Sequence, residues 1–234
     1  MRLSGPRFVI LLGLLGLGIV VATDQIVPAT SAYQAQMRVW LAARAAGIVA
    51  YLLLTGQIVF GLILSHPTNQ ATWKLSKRLF PWHENLWIFV LAFLGAHIVS
   101  IILDPYAGVG VAGTFIPGLS SYRSSPVALG TLAMYALILT GVTARYTKLL
   151  PQGFWLKLHR FSIVVFILAW LHGILSGTDA DALRSLYIWT GLSVLVAAAY
   201  RYWVSRKARP TFSTSLPEGQ TSLSQGQLKE ATTR

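Results

Sequence analysis

Six apolar blocks, at 8–22, 41–64, 87–103, 127–142, 161–175 and 186–204, dominate this chain and constrain its fold more than any other feature. A bilayer core about 30 Å thick takes about 20 residues of helix to cross, and the third and fifth blocks reach that length when extended back into the His-containing turns before them. Inside hydrocarbon no water satisfies the peptide groups, so a spanning segment must be a helix that bonds to itself. The expected fold class is therefore all-α, a polytopic membrane bundle of six transmembrane helices. Hydrophobic residues at 54% and charged residues at 11% agree with this and argue against a soluble domain.

The first block follows Arg2 and Arg7 and ends in small residues, a pattern that also suits a cleaved signal peptide; five spans would then remain. Basic residues fall at alternate boundaries. Lys74, Lys77 and Arg78 follow the second block, Arg145, Lys148 and Lys157 the fourth, and Arg201, Arg206, Lys207 and Arg209 the sixth. The other connections carry Asp24, Asp104, Asp179 and Asp181, with only Arg38, Arg123 and Arg184 as basic residues. By the positive-inside rule both termini lie in the cytoplasm, in a plasma or inner membrane. The net charge of +12 is thereby explained without nucleic acid. Residues 1–40 form an N-terminal anchor with its outer loop, 41–204 the functional transmembrane domain, and 205–234 a polar, basic tail of disordered composition.

Cysteine is absent, so disulfides, thiolate zinc sites, iron–sulfur clusters and thioether-linked haem are excluded. Histidine is the informative residue. Of five, His66 sits before a proline at a helix end and reads as a headgroup-level polar residue. The other four fall on two helices, His83 and His97 on the third block, His159 and His172 on the fifth, fourteen and thirteen residues apart. Both helices run outward from the cytoplasm, so His83 is expected to face His159 and His97 to face His172, at levels about 20 Å apart.

A lone membrane histidine is more often a helix-to-helix hydrogen-bonding residue than a ligand. Two facing pairs suit the two axial positions of haem iron, and a porphyrin's apolar faces suit a site between helices. A two-histidine site with no carboxylate or cysteine is under-ligated for zinc. The angular test is uneven: fourteen residues return a side chain to within about 40° of one face of a helix, whereas thirteen leave it about 140° away. For that pairing to form, either the fifth helix is distorted near His159 or His159 sits in its irregular first turn, after Pro151 and Trp155.

Trp155, Leu158, His159 and Arg160 in WLKLHR, then Leu171, His172 and Gly173 in LHG, with GTD at 177–179, resemble the ferric reductase-like transmembrane superfamily. That superfamily includes NADPH oxidases and ferric reductases, and is related to the haem-binding subunit of the bacterial methionine sulfoxide reductase system. ARAAG at 43–47 and SSPVALGT from 124 resemble other family segments more loosely, so the likeness covers about 41–204. It implies a haem-dependent transmembrane oxidoreductase with two bis-histidine b-type haems, the inner on His83 and His159, the outer on His97 and His172. Unlike NADPH oxidases the chain shows no flavin or nicotinamide domain. Electrons would come from a separate donor, a flavoprotein or a quinol, and leave to an extracytoplasmic acceptor.

Supporting roles are expected at five further positions, each beside a plainer alternative. Phe89 and Phe166 lie close to midway between the histidines of their helices and could fill the space between haems, or simply pack. Arg44, Arg123 and Arg160 could pair with haem propionates, or snorkel to the lipid headgroups. The Gly-rich connection at 104–126 could shape an acceptor site, or merely connect. Two rival functions remain at this point: a metal-ion or proton transporter, which should carry carboxylates at midplane, and a non-catalytic membrane anchor subunit.

Overall fold

The structure, a computed structural model, describes residues 31–64, 70–151 and 153–207. The expected first span at 8–22, His66 and the tail from 208 lie outside them. Among the described residues there are helices and turns and no strands: α1 (Ala32–Ile63), α2 (Gln70–Leu103), α3 (Gly110–Phe115), α4 (Ser124–Arg145), a 3-10 turn (Thr147–Leu149), α5 (Phe154–His159), α6 (Ser162–Ser176) and α7 (Arg184–Lys207). Four stretches are long and apolar enough to cross a membrane: Ala32–Ile63, Thr72–Leu103, Ser124–Arg145 and the α5–α6 run Phe154–Ser176. The sixth block is also helical, as α7, but is not one of these four. Among the described residues four stretches can therefore span a membrane, and the expected count of six is not confirmed.

Local chemistry accounts for the helix limits. Ser31 caps α1, its hydroxyl accepting the Gln34 N–H at 3.2 Å. Such a cap satisfies an amide that the first turn leaves without a carbonyl. Helix α1 thus starts well before residue 41, and 32–40, expected as outer loop, including Arg38, are helical. Pro126 lies in the first turn of α4, where its missing N–H costs nothing.

Helix α2 differs most from expectation. Its 34 residues would extend about 51 Å, far more than a bilayer core needs. The extra turns at 70–82 hold Lys74, Lys77, Arg78 and Pro81, so they read as loop to any argument based on hydropathy or helix breakers. Pro81 is carried inside the helix, and the Asn85 side-chain amide donates to its carbonyl at 2.7 Å. Glu84 sits well inside α2 and pairs with Arg145 at 3.7 Å.

Two slabs make up the bundle. Helix α2 packs along α1, and α5 and α6 pack on α4; α1 also touches α6 and α7 and ties the slabs together. Helices α2 and α6, which carry the histidines, are not a packed pair. Between the slabs Tyr51, Leu54, Ile58, Val90, Val165, Phe166, Tyr187 and Val194 form the buried core. Lipid is as apolar as these side chains, so close packing and polar cross-links hold such a core together rather than exclusion from water. One cross-link is the Tyr51 hydroxyl against that of Thr190; another is the Trp170 indole N–H donating to the Tyr187 carbonyl at 3.0 Å.

The connection at 104–126 is more than a plain linker. It folds into α3, which is pinned to α4 by Thr131 Oγ1 donating to the Thr114 carbonyl at 2.9 Å and Tyr135 Oη donating to the Phe115 carbonyl at 2.6 Å. Phe115 and Ile116 stay exposed.

Candidate functional site

The four histidines meet in two pairs across the gap between α2 and α5–α6. The ring centroids of His83 and His159 are 6.0 Å apart with planes at 81°, and those of His97 and His172 are 6.4 Å apart with planes at 75°. A metal–imidazole bond is about 2.0 Å and the ring centre lies about 1.2 Å behind the donor nitrogen, so two imidazoles opposed across one metal put their centroids about 6.3 Å apart. Both pairs match that distance.

The angular difficulty at His159 is reduced by the break in helix between α5 and α6. Around it the backbone closes through three-residue hydrogen bonds: Phe161 N–H to the Leu158 carbonyl at 2.9 Å, Ile163 N–H to Arg160 at 3.4 Å and Val164 N–H to Phe161 at 2.8 Å. Such turns advance about 120° per residue rather than about 100°. Three or four of them bring His159 to within about 60–80° of the His172 face. Trp155, one turn earlier, leans on the His159 ring with centroids 6.2 Å apart.

Three of the four rings are tied back through Nδ1. His83 Nδ1 lies 3.0 Å from the Gln57 carbonyl, His97 Nδ1 2.7 Å from the Ala43 carbonyl, and His172 Nδ1 2.8 Å from the Pro126 carbonyl. A carbonyl can only accept, so Nδ1 carries the proton and Nε2 keeps its lone pair, the tautomer and orientation of a metal-binding imidazole. Ser176 Oγ approaches His172 Nδ1 at 3.3 Å as well. His159 is the exception: its Nδ1 is buried with no partner at hydrogen-bonding distance, and the Thr140 backbone is only a looser polar neighbour.

Each pair borders a cavity. The His83/His159 cavity, about 540 Å³, is lined by Gln57, Gly61, Trp87, Arg160 and Arg201 among others. The His97/His172 cavity, about 210 Å³, is lined by Trp40, Arg44, Gly47, Tyr51, Gly130 and Tyr122 among others. Leu54, Leu137 and Val165 line both and form the partition between them. Among the described residues no group of three or more His, Asp or Glu side chains gathers anywhere, so each pair stands as two imidazoles alone.

The flanking candidates separate. Phe89 is 49% exposed on the outer face of α2, while its neighbour Val90 is 2% exposed and lines the His97/His172 cavity. Phe166 is buried but lines neither cavity and stacks on Tyr51 at 6.1 Å and 21°; Val165, at 1% exposure, is the residue of that helix between the cavities. Phe166 therefore packs, the plainer of its two readings, Phe89 faces outward, and the adjacent Val90 and Val165 hold the positions at the cavities. The correct positions are legible in the spacing, since Val90 is seven residues from both His83 and His97, and Val165 is seven from His172. Seven residues of helix return a side chain to within about 20° of the same face.

Of the arginines, Arg160 is exposed at the mouth of the His83/His159 cavity. Arg201, which serves only as a topology marker in the sequence, lines the same cavity and donates to the Leu64 carbonyl. Arg44 borders the other cavity and is held in an ion pair with Asp179 that ties α1 to the α6–α7 connection. Arg123 lines neither; it has left-handed backbone (φ 40°) and donates to the Leu175 carbonyl at 2.9 Å, capping the end of α6. Comparison with known protein families, with curated proteins and with solved structures finds no match to this chain.

Proposed function

We propose that this chain conducts electrons across a membrane through two b-type haems, from a cytoplasmic or membrane donor to an extracytoplasmic acceptor. The observation that carries the proposal is the pair of opposed imidazoles at each of two levels, spaced for one metal between them. Nothing else in either set supplies a third protein ligand, so a metal held there must bring its own equatorial ligands. A porphyrin does this, and its apolar faces suit a gap between helices.

The residues present fit such a group. His83 with His159, and His97 with His172, would hold it, and the Nδ1 tie-backs leave Nε2 free on three of them. The carboxylates of the group would meet cationic charge from Arg160 and Arg201 in one cavity and from Arg44 in the other. When bound, haem supplies a one-electron iron couple that no side chain of this chain provides. With an imidazole supplied from each side, such a group would pass electrons to an acceptor outside its own ligands rather than bind oxygen.

The resemblance to ferric reductase-like transmembrane domains supports the same reading. It adds a bundle of six spans; the alternating basic residues put both termini in the cytoplasm, and the donor would be a separate flavoprotein or quinol. With the cell interior negative, outward electron flow gains up to about 2.3 kcal/mol per 100 mV for a full crossing. A metal-ion transporter is disfavoured, because no carboxylate lines either cavity beyond Asp179, which is already paired. A pyridine haemochrome assay on the purified protein tests the proposal. Two haems per chain with a reduced-minus-oxidised b-type spectrum are expected, and colourless protein from a haem-replete host would refute it.

A further inference from the structure

The three seated histidines share a construction that recurs along the helices facing them. His97 bonds the Ala43 carbonyl and rests on Gly47; His83 bonds the Gln57 carbonyl and rests on Gly61; His172 bonds the Pro126 carbonyl and rests on Gly130. In every case the glycine is four residues after the carbonyl. Side chains on a helix lean toward its N-terminus, so a side chain at that position covers the carbonyl one turn earlier. A Cβ would stand 2.9 Å from His97 Nδ1 at Gly47, 2.9 Å from His83 Cε1 at Gly61, and 2.7 Å from both His172 Cε1 and Nδ1 at Gly130. Those separations are too short for a ring to remain where it is.

The fourth case is the instructive one. His159 approaches the Thr140 backbone, and four residues on is Ala144 rather than glycine. Here Nδ1 stays buried without a hydrogen bond. Gly56, on the same helix as Gly47 and Gly61, meets only Leu86 Cδ2 at 3.6 Å, an ordinary contact, so closeness is not a property of every glycine of this helix.

We infer that Gly47, Gly61 and Gly130 are positioning residues that open a helix carbonyl to an imidazole and fix the ring plane, and that Ala144 leaves His159 the one unseated ligand. On the two-haem reading, on which this deepens, the seats hold the imidazole planes of each pair nearly crossed, at 81° and 75°. Parallel imidazoles act on the same iron π orbital and split it from its partner. Crossed imidazoles act on one each, keep the two nearly degenerate, and leave an orbital moment that gives a single broad, strongly low-field EPR feature in the ferric state. The His97/His172 pair, seated on both sides, should give a narrow distribution of such signals, and the His83/His159 pair, seated on one, a wide one.

Low-temperature EPR of the oxidised protein, with Gly130→Ala, Ala144→Gly and Gly56→Ala variants, tests this. Expected are two low-field signals of unequal width; a shift or loss of the narrower in Gly130→Ala; a sharpening of the broader in Ala144→Gly; and no change in Gly56→Ala. Resolved three-line rhombic spectra from both haems, or a Gly130→Ala spectrum identical to the parent, would overturn the seats and leave the haem reading standing. Protein without haem would refute the haem reading instead. The seats are then read by nitrogen NMR of histidine-labelled protein, where three rings locked as the Nδ1–H tautomer support them and freely exchanging tautomers at His97 and His172 refute them.

Discussion

Removing histidines two at a time separates the pairing from every looser account of these residues. Within a pair the ring centroids are 6.0 or 6.4 Å apart, whereas the levels are separated by thirteen or fourteen residues, about 20 Å along a helix. No histidine can therefore stand in for one at the other level. A hydrogen-bonding partner of a metal-bound imidazole is itself worth about 10–100-fold in affinity, so losing the imidazole outright should empty a site at ordinary protein concentrations. His97→Ala with His172→Ala removes both ligands of one site and should leave one haem per chain. His97→Ala with His159→Ala takes one ligand from each site and should leave none. Each single variant should retain one. Haem per chain is read by the haemochrome assay, with circular dichroism to show that the helices persist. A cross-level double variant that keeps a full haem would refute the pairing, since no site would then retain two ligands.

Four further outcomes follow from the packing and the charge pattern. Val165→Phe, which overfills the partition between the cavities, should cost about 1–3 kcal/mol, whereas Phe89→Ala on the outer face should change thermal unfolding in detergent by about 0.5 kcal/mol or less. Tyr51→Phe keeps the stack on Phe166 and loses the Thr190 hydrogen bond; a drop of about 0.6 kcal/mol is expected in the same assay. Asp179→Asn frees Arg44 from an ion pair that is partly exposed, so at most about 1 kcal/mol is lost, visible as faster hydrogen exchange in the α6–α7 connection. Alkaline phosphatase fused after residue 120 should be active and after residue 207 inactive; the reverse pattern would invert the proposed orientation.

Part of this protein was readable one residue at a time. Apolar blocks identify helices because hydrocarbon forbids unpaired backbone, and the second to sixth blocks are all helical. Hydropathy does not see a helix that continues beyond the apolar zone, so the first turns of α2, with their lysines and Pro81, were not legible. Looking for aromatic residues close to midway between histidines selects Phe89 and Phe166, but a helix turns about 100° at each step, and the inward positions are Val90 and Val165. The seven-residue spacing carried that information.

The four histidines, their spacing and the need for a distortion near His159 were fixed by the order of residues alone, because helical rise and twist are properties of the backbone. What each imidazole touches was decided by tertiary structure. The Gln57, Ala43 and Pro126 carbonyls lie twenty-six, fifty-four and forty-six residues from the rings they hold. Their exposure depends on which glycine a neighbouring helix presents at the crossing. No local pattern encodes that, since it follows from how two slabs of helices stand apart and which faces they turn toward the gap.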